Sequence, residues 1–254
     1  MTKTVAVVNQ KGGVAKTTTV VNLSSYLAEA GKRILLVDMD PQGNATSGIG
    51  VDRRKVQYCV YDVLINEAPA ESVILTSAFD NLDILPATIQ LAGAEIELVS
   101  AISRESKLKK ALKPLQGKYD YIILDCPPSL GLLTINALTA SDSLIIPLQC
   151  EYYALEGVSQ LMGTLELVKK HLNPQLELEG VLLTMYDSRT NLSAQVAEEV
   201  RQYFGDKVFK SVIPRSVRLS EAPSHGLPIH YYDPKSKGAE FYQLLAEEFL
   251  AGQK

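Results

Sequence analysis

The sequence predicts an α/β protein: one doubly wound, mostly parallel sheet flanked by helices, with residues 1–254 forming a single domain. Two observations carry that expectation. Short β-branched and aliphatic runs recur without apolar/polar alternation, the pattern of strands buried on both faces. Helix-length segments with apolar residues three to four apart separate most of them. No Pro-, Gly- or Ser-rich stretch breaks the order as a linker would, and 254 residues suffice for one substantial core.

The elements follow in order. "TVAVVN" (4–9) is the first strand, and Val20, Leu23, Leu27 and Ala30 give the next segment a helical stripe that stops at Gly31. "RILLVD" (33–38) is a second strand. Residues 51–72 fit least well and are read as an excursion between strands. Further strands are expected at "LDILPA" (82–87), "YIILD" (121–125), "SLIIPL" (143–148), "GVLLTMY" (180–186) and "KVFKSVIP" (207–214). Leu155, Val158, Leu161, Leu165 and Val168 mark a helix between two of these. In "KGAEFYQLLAEEFLAG" (237–252), Phe241, Leu244, Leu245, Glu248 and Phe249 recur at helical spacing, which is read as core packing.

Composition narrows the classes. With 46% hydrophobic and 21% charged residues the chain is ordinary globular material rather than disordered or fibrous. No apolar run reaches the roughly 18 to 20 residues of a membrane span, and "MTKTVAVVNQ" lacks a signal-peptide core, so a cytoplasmic location is expected. Cys59, Cys126 and Cys150 are widely spaced and read as reduced core thiols. A net charge of −4 excludes a uniformly basic nucleic-acid binder. Residues 207–237 nevertheless hold six basic and two acidic side chains, a local excess of four that leaves −8 on the remainder, so a cationic face on an acidic protein is expected.

In a doubly wound sheet ligands bind beyond the carboxyl ends of the strands. There, after the first strand, "KGGVAKTT" (11–18) leads straight into a helical pattern. Such a turn presents backbone N–H groups and a helix dipole to a polyphosphate. Lys11, Gly12, Gly13, Val14, Ala15, Lys16, Thr17 and Thr18 are the candidate nucleotide contacts, with Lys16 reaching the β- and γ-phosphates and Thr17 offering its hydroxyl to Mg²⁺. The generic G-x-x-x-x-G-K-[ST] pattern fails twice, at Gln10 and Ala15. Two acidic sites support the reading: "ILLVDMDPQGN" (34–44) ends an apolar run in Asp38 and Asp40, and "YIILDCPP" (121–128) ends another in Asp125. Carboxylates at the ends of buried strands are costly unless a cation or hydrogen bonds serve them, and Mg²⁺ beside a triphosphate is such a cation.

These residues carry a resemblance. "KGGVAKTTT", "DMDPQGN", "LDCPPSLG" and "IPRSVRLSEAPSHGLPI" are similar, in that order, to the motifs of the deviant Walker A ATPases of the MinD/ParA superfamily, and most closely to the ParA/Soj partition ATPases. The similarity runs from Val5 to about Gly238. It implies a P-loop NTPase fold, ATP or ADP with Mg²⁺ as ligands, and a homodimer that sandwiches two ATP molecules. By resemblance Lys11 reaches the nucleotide of the other subunit while Lys16 serves its own, and both stabilise developing charge. Asp40 orients or activates the attacking water, Asp125 supports Mg²⁺ through its waters alongside Thr17 and Asp40, and Asp38 holds the loop. Asn44 has two readings, γ-phosphate sensor or turn former. Pro214 and Arg215 are expected on the adenine side of the nucleotide. Weak basal turnover is implied, because only dimerisation completes the site. The family usually has glycine where Ala15 stands; positive φ there would strain alanine by on the order of 1 to 2 kcal/mol, whereas negative φ would cost little.

Arg189 in "YDSRTNLS" and Arg218 in "IPRSVRLSEAP" match positions that the family uses for sequence-independent binding of double-stranded DNA, with Arg215, Lys235 and Lys237 as additions to that face. The resemblance therefore implies chromosome or plasmid partitioning on the nucleoid, with release by hydrolysis that a ParB-type partner stimulates. Only three residues precede the first strand, so no extra N-terminal DNA-binding region and no operator-based autorepression are expected. Three rivals are weighed. A MinD-like membrane-associated ATPase would favour basic residues on the polar face of the final helix, which instead carries Glu240, Glu247 and Glu248, so no stable membrane association is expected. A small-molecule P-loop kinase or ligase lacks an evident acceptor motif here. An iron–sulfur reductase needs bridging cysteines that Cys126 and Cys150 do not supply. If Ala15 disables the loop, a scaffold that binds ATP without turnover is a further alternative.

Overall fold

The structure is a computed structural model and describes residues 2–151 and 154–253, without the side chains of residues 154–157. Its sheet contains β1 (Lys3–Val7), β2 (Ile34–Asp38), β3 (Leu75–Thr76), β4 (Leu82–Leu85), β5 (Tyr121–Asp125), β6 (Ser143–Gln149) and β7 (Glu177–Thr184). The strand order is β3-β4-β2-β5-β1-β6-β7. Every pairing is parallel except that of β3 with β4, so the expected doubly wound, mostly parallel sheet is present.

The helices are α1 (Lys16–Glu29), α2 (Asn44–Gly48), α3 (Val60–Leu64), α4 (Ala70–Val73), α5 (Leu91–Glu97), α6 (Lys107–Leu112), α7 (Leu132–Ala140), α8 (Ala154–His171), α9 (Asn191–Phe204), α10 (Val217–Glu221), α11 (Ile229–Tyr232) and α12 (Lys237–Ala251). Successive strand residues point to opposite faces, and both faces are apolar. Thus Val5 and Val7 pack under α1 and α12, while Ala6 and Val8 enter the core on the other face. That two-sided burial explains the absence of alternation in the strand sequences. The three cysteines are free and buried, as expected.

Two local expectations change, and the 51–72 excursion between strands gains its detail. Residues 207–214 do not form a continuous strand; Val208 and Pro214 make isolated parallel bridges to Val181 and Tyr186. The cause lies in α12, where the Glu248 carboxylate accepts the backbone N–H groups of Lys210 and Ser211 and so takes donors that a ladder would use. The Phe209 ring also lies over Gly180, where a Cβ would come within 2.5 Å of it. In α12 itself the buried face is Ala239, Tyr242, Leu245, Ala246 and Phe249, whereas Leu244 is exposed and Glu248 serves the 210–211 turn. The 51–72 excursion is helical, containing α3 and most of α4. Within the α8 stripe Val158, Leu161, Leu165 and Val168 are buried; Leu155 lies outside the described side chains.

Candidate functional site

The phosphate loop leaves β1 at the carboxyl edge of the sheet and is anchored on several sides. Asn9 donates its side-chain amide to the Pro147 carbonyl and accepts the Lys11 N–H. Val14 is buried, and its carbonyl accepts the Thr184 hydroxyl at 3.1 Å. Gly13 has φ 74°, a conformation glycine adopts readily. Ala15 has φ 67° and ψ 32°, so the alanine sits in the left-handed region that it disfavours.

Lys16 opens α1 nearly buried, and its ammonium donates to the Lys11 carbonyl at 3.0 Å. Burial lowers its pKa, against the opposing pull of Asp125, Cys126 and Asp40. Thr17 donates its hydroxyl to Asp125 Oδ2 at 2.7 Å. The other carboxylate oxygen of Asp125 is buried with no hydrogen-bond partner among the described residues. Burial pushes the Asp125 pKa well above the ordinary carboxylate range, and Asp38 adds to the shift.

Beside β5, β2 delivers the second acidic pair. Asp38 accepts the Asp40 N–H and both the N–H and hydroxyl of Thr46. Its pKa is pushed up to about 6 by burial, with the Thr46 hydrogen bonds opposing. Asp38 thus closes the turn that carries Asp40. Asp40 is mostly buried and accepts the Gln42 N–H. Asn44 begins α2 just after Gly43, whose φ is 61°. A Cβ at Gly43 would meet the Arg53 side chain at 2.6 Å and the Ala87 carbonyl at 2.8 Å, so the chain needs glycine there.

A cavity of about 430 Å³ opens from this edge. Ala15, Thr17 and Thr18 wall one end, Asn44 one side, and Pro214 and Arg215 another. Lys11, Gly12, Gly13, Val14 and Lys16, in the same loop, are not part of its wall. Sequence reasoning missed most of its other lining residues, Met185 and Tyr242 among them. Met185 directly follows β7 with φ 51°, strained for a non-glycine residue, and Tyr242 closes the floor with its hydroxyl 3.1 Å from that of Thr19. No local pattern announces either one.

The donor set suits a magnesium nucleotide. Among the described residues no three His, Cys, Asp or Glu side chains converge to hold a metal alone. Mg²⁺ is commonly held by one or two protein ligands with substrate phosphates and waters completing the shell, and Thr17 with the unpartnered Asp125 oxygen matches that need.

The fold and motifs have counterparts. A family model described as "AAA domain" matches residues 2–178. The sporulation initiation inhibitor protein Soj of Bacillus subtilis is 66% identical over 251 residues, covering 99% of both chains. The chromosome partitioning protein ParA of Myxococcus xanthus is 56% identical, covering 97% of this chain and 87% of the relative. The chain belongs to the ParA/Soj family of chromosome-partitioning ATPases. Among solved structures, cobyrinic acid a,c-diamide synthase of Mycobacterium smegmatis with bound ADP and magnesium superposes with TM-score 0.88 at 42% identity, covering 100% of this chain and 96% of that one. MinD of Pyrococcus horikoshii complexed with Mg-ADP gives 0.82 at 32%, covering 100% and 98%.

In this ParA/Soj-family chain Lys11 faces outward. Its ammonium lies 3.4 Å from Glu151, and the Arg215 guanidinium lies 3.7 Å from the other oxygen of the same carboxylate. Glu151 follows β6 and carried no sequence signal; only the fold brings it between the two cations. Arg189 and Arg218 lie outside the cavity. Arg189 is 85% exposed and paired with Asp187 at 2.7 Å, which holds that carboxyl far below the usual range. Arg218 pairs with Glu221 at 2.9 Å and Asp233 at 3.3 Å. It projects from α10, whose Leu219 and Ser220 line the cavity, so one short helix touches both regions. Among the described residues no helix is long and apolar enough to cross a membrane.

Proposed function

We propose that this chain hydrolyses ATP with Mg²⁺, closes as a homodimer over the nucleotide, and in that state binds double-stranded DNA without sequence preference until a ParB-type partner stimulates turnover on the nucleoid. The observation that carries the reading is the Thr17–Asp125 pair, with one carboxylate oxygen unpartnered beside the buried ammonium of Lys16.

ATP is the substrate, its triphosphate against the loop from Gly12 to Thr18 and its base toward Pro214 and Arg215. The Lys16 ammonium, already desolvated and held on the Lys11 carbonyl, is worth more to developing phosphoryl charge than a hydrated lysine. Asp40, fixed by the Asp38–Thr46 clasp, orients the attacking water for in-line displacement. Asn44 at the mouth reads the γ-phosphate. Mg²⁺, held by Thr17 with Asp125 and Asp40 behind it, neutralises charge on the phosphates when bound. Lys11 exchanges Glu151 for the phosphates of the opposing subunit, which makes turnover depend on protein concentration. Arg189 and Arg218 exchange Asp187, Glu221 and Asp233 for DNA phosphates, so affinity falls with salt.

The test compares ATP-dependent dimerisation and DNA retention in the unaltered chain, Lys16→Ala and Arg189→Ala. Lys16→Ala is expected to lose both, and Arg189→Ala only DNA. Single-turnover rates independent of protein concentration would refute the shared site.

A further inference from the structure

At the far end of α1 from the phosphate loop lies a second cavity, of about 320 Å³. Its wall combines the last turn of α1 (Tyr26, Glu29) and the following Ala30 with His230 of α11 and the outer side of α12, where Gln243 and Glu247 stand. The His230 side chain is 9% exposed, and neither ring nitrogen has a hydrogen-bond partner among the described residues. A buried imidazole without a hydrogen bond is costly, and its presence in a cavity wall marks a group awaiting a ligand. The ring lies tilted against Tyr26, with centroids 4.6 Å apart and planes at 34°, and its Nε2 lies 3.7 Å from Glu29 Oε2.

The charge of this cavity is one-sided. Glu29 and Glu247 contribute carboxylates, and no Lys or Arg is part of the wall. The fourteen-residue helix α1 also ends here, turning its negative pole toward the space. Anions are therefore repelled. A bare divalent metal finds no converging set of three ligands among the described residues. An organic cation meets every requirement: carboxylates for the charged head, the Tyr26 ring face beside it, and Ala30, Ala246, Pro234 and Leu250 for an aliphatic stem.

We infer that this cavity binds a primary alkylammonium group, supplied by a free polyamine or by the lysine side chain of another protein. The head group lies between Glu29 and Glu247, and His230 turns to accept one of its N–H donors. That role suits a neutral imidazole, and burial already lowers the pKa of His230.

The test uses the full chain without nucleotide and follows the rings of its three histidines by NMR, with His230→Gln assigning the signal. The probes are 1,4-diaminobutane and Nα-acetyl-lysine methylamide at constant ionic strength, with 1,4-butanediol as neutral control. A saturable shift of the His230 signal with either ammonium probe, none with the diol, and at least tenfold weaker binding in Glu29→Gln/Glu247→Gln is the expected result. Saturation by the diamine alone assigns a polyamine; saturation by the lysine derivative assigns a protein side chain. ATP affinity stays unchanged in the variant, which separates this site from the nucleotide cavity. A shift that never saturates, that the diol reproduces, or that survives intact in the double variant overturns the inference.

Discussion

Replacing Ala15 by glycine isolates the strain stored in the phosphate loop. The alanine is held at φ 67°, ψ 32°, where an L side chain costs about 1 to 2 kcal/mol. It cannot relax by shifting, because the neighbouring Val14 carbonyl is held by Thr184 and the Ala15 carbonyl accepts the Thr19 N–H at 2.9 Å. Glycine removes that strain but loses about 0.4 to 1 kcal/mol through the greater freedom of its unfolded chain. The net gain is about 0.8 kcal/mol at the middle of those ranges. For a chain of this length that corresponds to a rise in Tm of about 1 to 4 °C. Scanning calorimetry of the nucleotide-free protein and Ala15→Gly, with urea denaturation to check that the m-value is unchanged, measures it. An equal or lower Tm for Ala15→Gly would refute the claim that the loop is strained.

Three further outcomes are expected. Thr46→Val removes the hydroxyl that donates to Asp38 and accepts from Ala87 N–H, so stability falls by about 1 to 3 kcal/mol in urea, and an unchanged midpoint would remove the clasp from the account. Asp38 and Asp125 bind protons more tightly in the folded chain than in the unfolded one, so their contribution is full below the unfolded value of 3.8; that of Asp38 is lost as pH rises through about 6, and that of Asp125, also raised by burial, is lost with rising pH as well. His230, lowered by burial, acts in the opposite sense, so the urea midpoint of His230→Gln is the readout; it should fall between pH 5 and 7, and a rise would contradict the shifts. Glu151→Gln frees Lys11 and Arg215 from a half-exposed pair contributing at most about 1 kcal/mol, so sedimentation should show ATP-dependent dimerisation rising by up to about fivefold; a decrease would mean that Glu151 aids closure.

The sheet was legible because buried parallel strands have a plain signature, and Val5 to Val8 or Ile34 to Val37 show it. The acidic residues at strand ends were legible for the same reason, since Asp38 and Asp125 interrupt runs that are otherwise apolar. The 207–214 segment reads as a strand by composition, but its backbone donors are claimed by Glu248, some forty residues away, which no local window registers. Two-residue β3 is too short to leave a pattern. Glu151, Met185 and Tyr242 escaped for a related reason: each reaches the site through tertiary packing, and each has an ordinary local context.

The hydroxyl contact between Thr19 and Tyr242 has a consequence for synthesis on the ribosome. Residue 19 leaves the exit tunnel long before residue 242 is joined to the chain, so a nascent polypeptide carries its glycine loop without a floor beneath it. The cavity wall is therefore complete only once α12 has emerged and Tyr242 has met Thr19.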